Sequence, residues 1–175
     1  DDLKNYVNPD KILIIEDTRY DNIINRYHLN INKDILPKSL LESFNIILYY
    51  EHNEELELFM KSIEEFYTDT KLKKLNQRLI IVPHDTDTKT LNHLETHINK
   101  LNIKYGRFSK KQFNHNIIII DVFGILCEIY KYGHLVYIGG AQTGRVHSVS
   151  EPAIYKCLIG HGSSLNVRAI RYVLE

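Results

Sequence analysis

A chain of 175 residues, 43% of them hydrophobic, is long and apolar enough for one domain with a buried core. Its 22 basic residues balance 22 acidic ones, which excludes the basic excess of a nucleic-acid binder. No apolar run reaches membrane-spanning length and no signal peptide is legible. The only two cysteines, Cys127 and Cys157, lack a CxxC spacing and read as free thiols of a reducing compartment.

In chain order, residues 11–15 read as a strand and 18–27 as a helix. Residues 45–50 form a second strand. The helix expected over 54–66 places Leu56, Phe59, Met60, Ile63 and Phe66 on one face. Residues 78–82 are a strand stopped by Pro83, and Thr86 or Thr88 is the expected cap of a helix running to residue 101. A strand at 116–120 leads to a helix over 124–132. A strand at 135–138 leads to a glycine-rich loop and a helix over 150–156, and residues 157–160 form a last short strand. Segments 33–38 and 68–74 read as polar surface connections.

Strands apolar on both faces and separated by helices predict an α/β protein, a Rossmann-like doubly wound parallel sheet with helices on both faces. Residues 1–44 are expected to be an interdomain lead-in carrying the first strand and helix, and residues 45–175 the Rossmann-like domain. The start at Asp1 without Met and the helical pattern at the other end read as a piece of a longer protein.

Ligands of such sheets bind beyond the carboxyl ends of the strands. Four loops leave those ends: 83–85, 121–124, 139–147 and 160–162. The run from Tyr137 through Gly139, Gly140, His147, Ser148, Val149 and Ser150 to Glu151 and Pro152 is the most informative. Its glycines allow close backbone approach, and Ser148 or Ser150 can cap the helix that follows. Free backbone N–H groups at that mouth suit an anion, and Glu151 beside it suits two ribose hydroxyls. The pattern is that of a nucleotide-sugar site. It lacks the GxGxxG of a dinucleotide fold. His147 is a candidate donor to phosphate or sugar carboxylate. Asp121 reads as the cap of the next helix, whose mouth offers the N–H groups of Gly124, Ile125 and Leu126. Pro83 and His84 end another strand, where the imidazole suits a base.

The remaining polar clusters have plainer readings. His93 and His97 stand one helical turn apart, but the intervening glutamate is misplaced for HExxH, so a helix surface is favoured over zinc. The 51–55 segment reads as a solvated helix start. No nucleophile triad and no carboxylate pair for glycoside hydrolysis is legible.

Taken together and in order, Asp17-Thr-Arg-Tyr-Asp21, Val82-Pro-His84, Asp121-Val-Phe-Gly124-Ile-Leu126 and Gly139-Gly140 … His147-Ser-Val-Ser-Glu151-Pro-Ala153 resemble the C-terminal half of 3-deoxy-D-manno-octulosonic acid (Kdo) transferases. These are GT-B glycosyltransferases of lipopolysaccharide synthesis. The resemblance runs from about residue 12 to 160. It implies one half of a GT-B fold that binds the donor substrate CMP-Kdo, with no cofactor and no metal. The nucleotide contacts it implies are Pro83, His84, Gly124, Ile125, Leu126 and Ser148 to Glu151. It also implies an inverting transfer to a lipid A precursor at the cytoplasmic face of the bacterial inner membrane. The general base would lie in an N-terminal domain, so no catalytic residue is named here and this segment alone is expected to be inactive.

Several positions depart from the family pattern. Ser148 replaces an asparagine, Glu16 a glycine, and Tyr49-Tyr50-Glu51 a small Gly-Ser-Thr turn. Two other readings follow. One is a GT-B domain for a UDP-sugar, in a transferase or an epimerase. The other is a degenerate non-catalytic domain, in which Tyr49 and Tyr50 would fill the phosphate site.

Overall fold

The computed structural model describes residues 6–11, 18–68, 76–140 and 148–162. The strand expected at 11–15 lies largely outside the described residues.

Six parallel strands form one sheet in the order β3-β4-β2-β1-β5-β6. They are β1 (Phe44–Tyr50), β2 (Gln77–Pro83), β3 (Tyr105–Arg107), β4 (Ile117–Ile119), β5 (Leu135–Ile138) and β6 (Leu158–His161). Among the described residues the α-helices are α1 (Thr18–Asn30), α2 (Asn53–Thr68), α3 (Thr88–Lys100), α4 (Leu126–Ile129) and α5 (Ser150–Ile154). The doubly wound Rossmann-like expectation holds. The chain builds outward from β1 through β2 and then returns to lay β5 on the other side of β1, paired Ile46 to Leu135 through Tyr49 to Ile138. That reversal opens a crevice at the carboxyl ends of β1 and β5.

Alternation along the central strands creates two cores, because successive side chains point to opposite faces. Ile47, Tyr49, Ile80, Val82, Ile118, Val136 and Ile138 face α4, α5 and the Leu36–Leu40 turn. Leu48, Tyr50, Leu79, Ile81, Ile117 and Ile119 face Leu56, Met60 and Ile63 of α2 and Leu91, Leu94 and Ile98 of α3. The lead-in helix packs onto the first layer: the Tyr27 and Tyr155 rings meet edge-on, with centroids 5.1 Å apart. The Tyr132 hydroxyl accepts from the backbone N–H of Ile35 and of Leu36, both at 3.0 Å, which fixes the approach to β1.

Three details differ from expectation. The edge strand β3 was not foreseen, since Tyr-Gly-Arg has no apolar alternation; it forms by pairing with β4. Asp87 rather than a threonine caps α3, accepting from the N–H of Lys89 at 2.8 Å and of Thr90 at 3.1 Å. β2 ends at Pro83 as expected, with Pro83 its last paired residue, opposite Tyr50, at a strand end where a missing N–H costs no ladder bond. The expected helix over 124–132 is α4 followed by a tighter turn at Tyr130–Tyr132, and α5 ends at Ile154 rather than residue 156.

Candidate functional site

A cleft of about 250 Å³ opens at the carboxyl edge, on the α4 and α5 side of the sheet. Tyr49 comes from near the end of β1, Val82 and Pro83 from the end of β2 with His84 just beyond it, and the turn after β4 supplies Val122, Phe123 and Gly124. Leu126 and Cys127 come from α4, Glu151 from α5 and Arg26 from α1. Of the residues chosen from the sequence, Pro83, His84, Gly124, Leu126 and Glu151 line this one cavity.

The others stand apart from it. Ile125 is the residue before α4 and packs against the core. Val149 is 2% exposed and belongs to the core beneath α5. Gly139 and Gly140 are buried under α2. Ser148 and Ser150 are half-buried, and His147 lies outside the described residues. Neither serine is the cap of α5: that position is Val149, with no side-chain hydrogen bond. The reason is that residue 149 still has helical backbone angles, so the helical turn begins before Ser150. Asp121 does not cap α4 either. It accepts from the Ser109 N–H at 2.8 Å and the Ser109 hydroxyl at 2.6 Å, which ties the turn after β3 to the end of β4.

Gly124 has φ +86°, a conformation that side chains strain to adopt, and it turns the chain over the cleft. The carbonyl of Gly124 accepts from Arg26 Nη2 at 2.9 Å. The same guanidinium grips Glu128 of α4 through Nε at 3.1 Å and Nη2 at 3.0 Å, a bidentate geometry. Asn30 adds a bond to Glu128 at 2.9 Å. Arg26 is thereby a cation fixed in the cleft wall with 42% of its side chain still exposed. The sequence reading missed it, because an arginine on a polar helix face carries no local signal. Phe123, 80% exposed at the rim, was also missed, although it lies inside a motif that had been singled out.

Glu151 is half-buried beside this cation. Burial is the main force raising its pKa above the ordinary carboxylate value; Arg26 opposes the rise and Glu128 adds to it. Burial also pushes the Cys127 thiol up to about 11. Tyr49 and His84 join across the floor, hydroxyl to Nδ1 at 2.6 Å. Tyr50 points to the opposite face and is fully buried in the α2 and α3 core. It does not fill the cleft, and Tyr49 stands in its wall.

Glu55 corrects a further expectation. It is not a solvated helix-start residue but is 1% exposed. Its two oxygens accept from the N–H of Glu51 at 3.0 Å and the N–H of Gly140 at 2.8 Å. A Cβ at Gly139 would stand 2.5 Å from the Glu55 carboxylate and 2.9 Å from the Tyr50 backbone, which explains a glycine there. The first part of the glycine loop therefore packs against the buried carboxylate rather than lining the cleft.

Among the described residues no helix is long and apolar enough to cross a membrane. No family model matches the chain. Over 111 residues, 61% of its length, it is 27% identical to a 3-deoxy-D-manno-octulosonic acid transferase of Chlamydophila psittaci. The match spans 24% of that protein, about a quarter of it. The fold is shared with the crystal structure of the C-terminal CMP-Kdo binding domain of WaaA from Acinetobacter baumannii. The TM-score is 0.56 at 16% identity, covering 88% of this chain and 76% of that one. The chain is thus similar in sequence to part of a Kdo transferase, and it shares its fold with that C-terminal domain of known structure.

Proposed function

We propose that this chain is the donor-binding domain of an inverting glycosyltransferase that moves Kdo from CMP-Kdo to a lipid A precursor. The observation that carries this reading is the meeting of Pro83, His84, Gly124, Leu126 and Glu151 in one cleft at the carboxyl edge of the sheet. The similarity to a Kdo transferase and to a CMP-Kdo binding domain supports it.

The chemistry assigned to the cleft follows from its groups. Glu151, as the carboxylate, accepts hydrogen bonds from the ribose hydroxyls. In this reading His84 and Phe123 take the base, one as a hydrogen-bond partner and the other as an exposed ring for stacking. Arg26 is the fixed positive charge nearest the Gly124 turn, suited to the phosphate of CMP. In the transfer, an acceptor hydroxyl attacks the anomeric carbon while the bond to the CMP phosphate oxygen breaks. This domain's share is to hold the leaving phosphate and offset its growing charge. The general base and the lipid acceptor belong to another part of the protein, at the inner membrane surface.

The test is nucleotide preference. Calorimetry and thermal unfolding of this chain with CMP, UMP and UDP should show binding and stabilisation by CMP alone. Stabilisation by UDP without any by CMP would reject the Kdo assignment. No response to any nucleotide would favour the degenerate, non-catalytic reading.

A further inference from the structure

On the far face of the sheet from the cleft, α2 and α3 bring together Glu57, His93 and His97. One ligand atom from each lies within 4.8 Å of the other two. We propose that these three side chains form a site for a divalent transition metal, with zinc the best suited. It would bridge the two helices.

Four observations carry the assignment. First, His93 and His97 share one helix face at the i, i+4 spacing that lets two imidazoles bind one ion, and their ring centroids are 4.4 Å apart. Second, Nδ1 of His97 lies 2.9 Å from the His93 carbonyl, which can only accept. That bond puts the proton on Nδ1 and leaves Nε2 of His97 with the lone pair, the arrangement that orients metal-ligating histidines. Third, Nε2 of His93 is shielded from solvent and has no hydrogen-bond partner among the described residues. A buried imidazole nitrogen without a partner carries a desolvation cost that a metal bond removes. Fourth, Glu57 comes from the neighbouring helix and is exposed, so its long side chain is free to swing.

Two imidazoles and one carboxylate are a zinc donor set. Tetrahedral bonds of about 2.0–2.1 Å would put the ligand atoms about 3.3 Å apart, so rotamer changes at Glu57 and the rings suffice to close the site. The fourth position is left to water. Glu95, the only carboxylate between the two histidines in sequence, is engaged elsewhere, by Arg107 Nε at 2.6 Å. The ion would join α2 to α3, two helices that otherwise meet through apolar side chains, and so would stabilise the folded chain alone.

The experiment uses untagged, chelator-treated protein titrated with zinc chloride by calorimetry, with thermal unfolding followed in parallel. One zinc per chain and a melting temperature that rises with zinc are expected. Glu57→Gln, on an exposed residue that folding does not need, should weaken binding by about tenfold or more, as should His97→Gln. Both should abolish the thermal shift, whereas His115→Gln, in the loop before β4 and outside the three-residue cluster, should change neither. Cobalt(II) should give the visible bands of tetrahedral coordination in the native chain and lose them in the same variants. Absence of saturable zinc binding, or unchanged binding in Glu57→Gln and His97→Gln, would overturn the site.

Discussion

The Tyr49 hydroxyl lies 2.6 Å from Nδ1 of His84, joining the carboxyl ends of β1 and β2 across the floor of the cleft. A tyrosine where the resembled family has a small residue therefore supports the neighbouring imidazole. Tyr49→Phe keeps the ring in the core and removes the bond to His84. It should cost about 1 kcal/mol by urea denaturation, the usual net value of one hydrogen bond. It should also weaken CMP binding several-fold in calorimetry by releasing the His84 ring.

Glu151 is raised in pKa mainly by burial, so it opposes folding at a pH where it must be charged. The sign is that of a raised acid: no penalty exists well below its ordinary value, and the penalty grows as pH rises through the folded value. Glu151→Gln should therefore be at least as stable as the native chain at pH 8, while losing CMP affinity. In the native chain CMP affinity should fall on acidification through that raised value. Denaturation and calorimetry at pH 5 and 8 measure both effects.

Glu55 accepts one backbone N–H on each oxygen, from Glu51 and Gly140. Glu55→Gln retains a single acceptor and turns an NH₂ toward one of these donors. The expected loss is about 1–3 kcal/mol, the cost of an unsatisfied buried polar group. Gly139→Ala should cost about 1–3 kcal/mol by overpacking, because the new methyl meets the Tyr50 backbone, which has nowhere to move. Urea midpoints measure both.

Arg107 holds the Glu95 carboxyl below the ordinary carboxylate range through their hydrogen bond. A lowered acid contributes stability above its unfolded value, about 4.3, and loses it as pH falls through the lower folded value. Glu95→Gln should be less stable than the native chain at pH 7. The difference should shrink in urea titrations as the pH falls through that lowered folded value.

Cys127 lines the cleft yet is 1% exposed, with its thiol pushed up to about 11. The thiolate is the reactive form, so Cys127 should resist a disulfide reagent at pH 8 until the protein is unfolded. Cys157, also raised to about 11, should behave in the same way. Rapid labelling of either thiol in the native chain would contradict this packing.

The sequence alone determined the fold class. Apolar runs such as Ile117 to Ile120, separated by helical periodicity, have only one stable arrangement, a parallel sheet covered on both faces. The strand ends were legible too, because they are a local property: Pro83, His84 and Gly124 needed no tertiary information to be placed at the carboxyl edge of the sheet. What each side chain does there was decided in three dimensions. Arg26 lies 98 positions from the Gly124 carbonyl it binds. Glu55 lies 85 positions from the Gly140 N–H it accepts, and so reads locally as a solvated acid although it is buried. The His93 and His97 pair gains its third ligand only because α2 packs beside α3. Spacing along a chain specifies period and termini, whereas hydrogen-bond partners and burial depend on which surfaces the fold brings into contact.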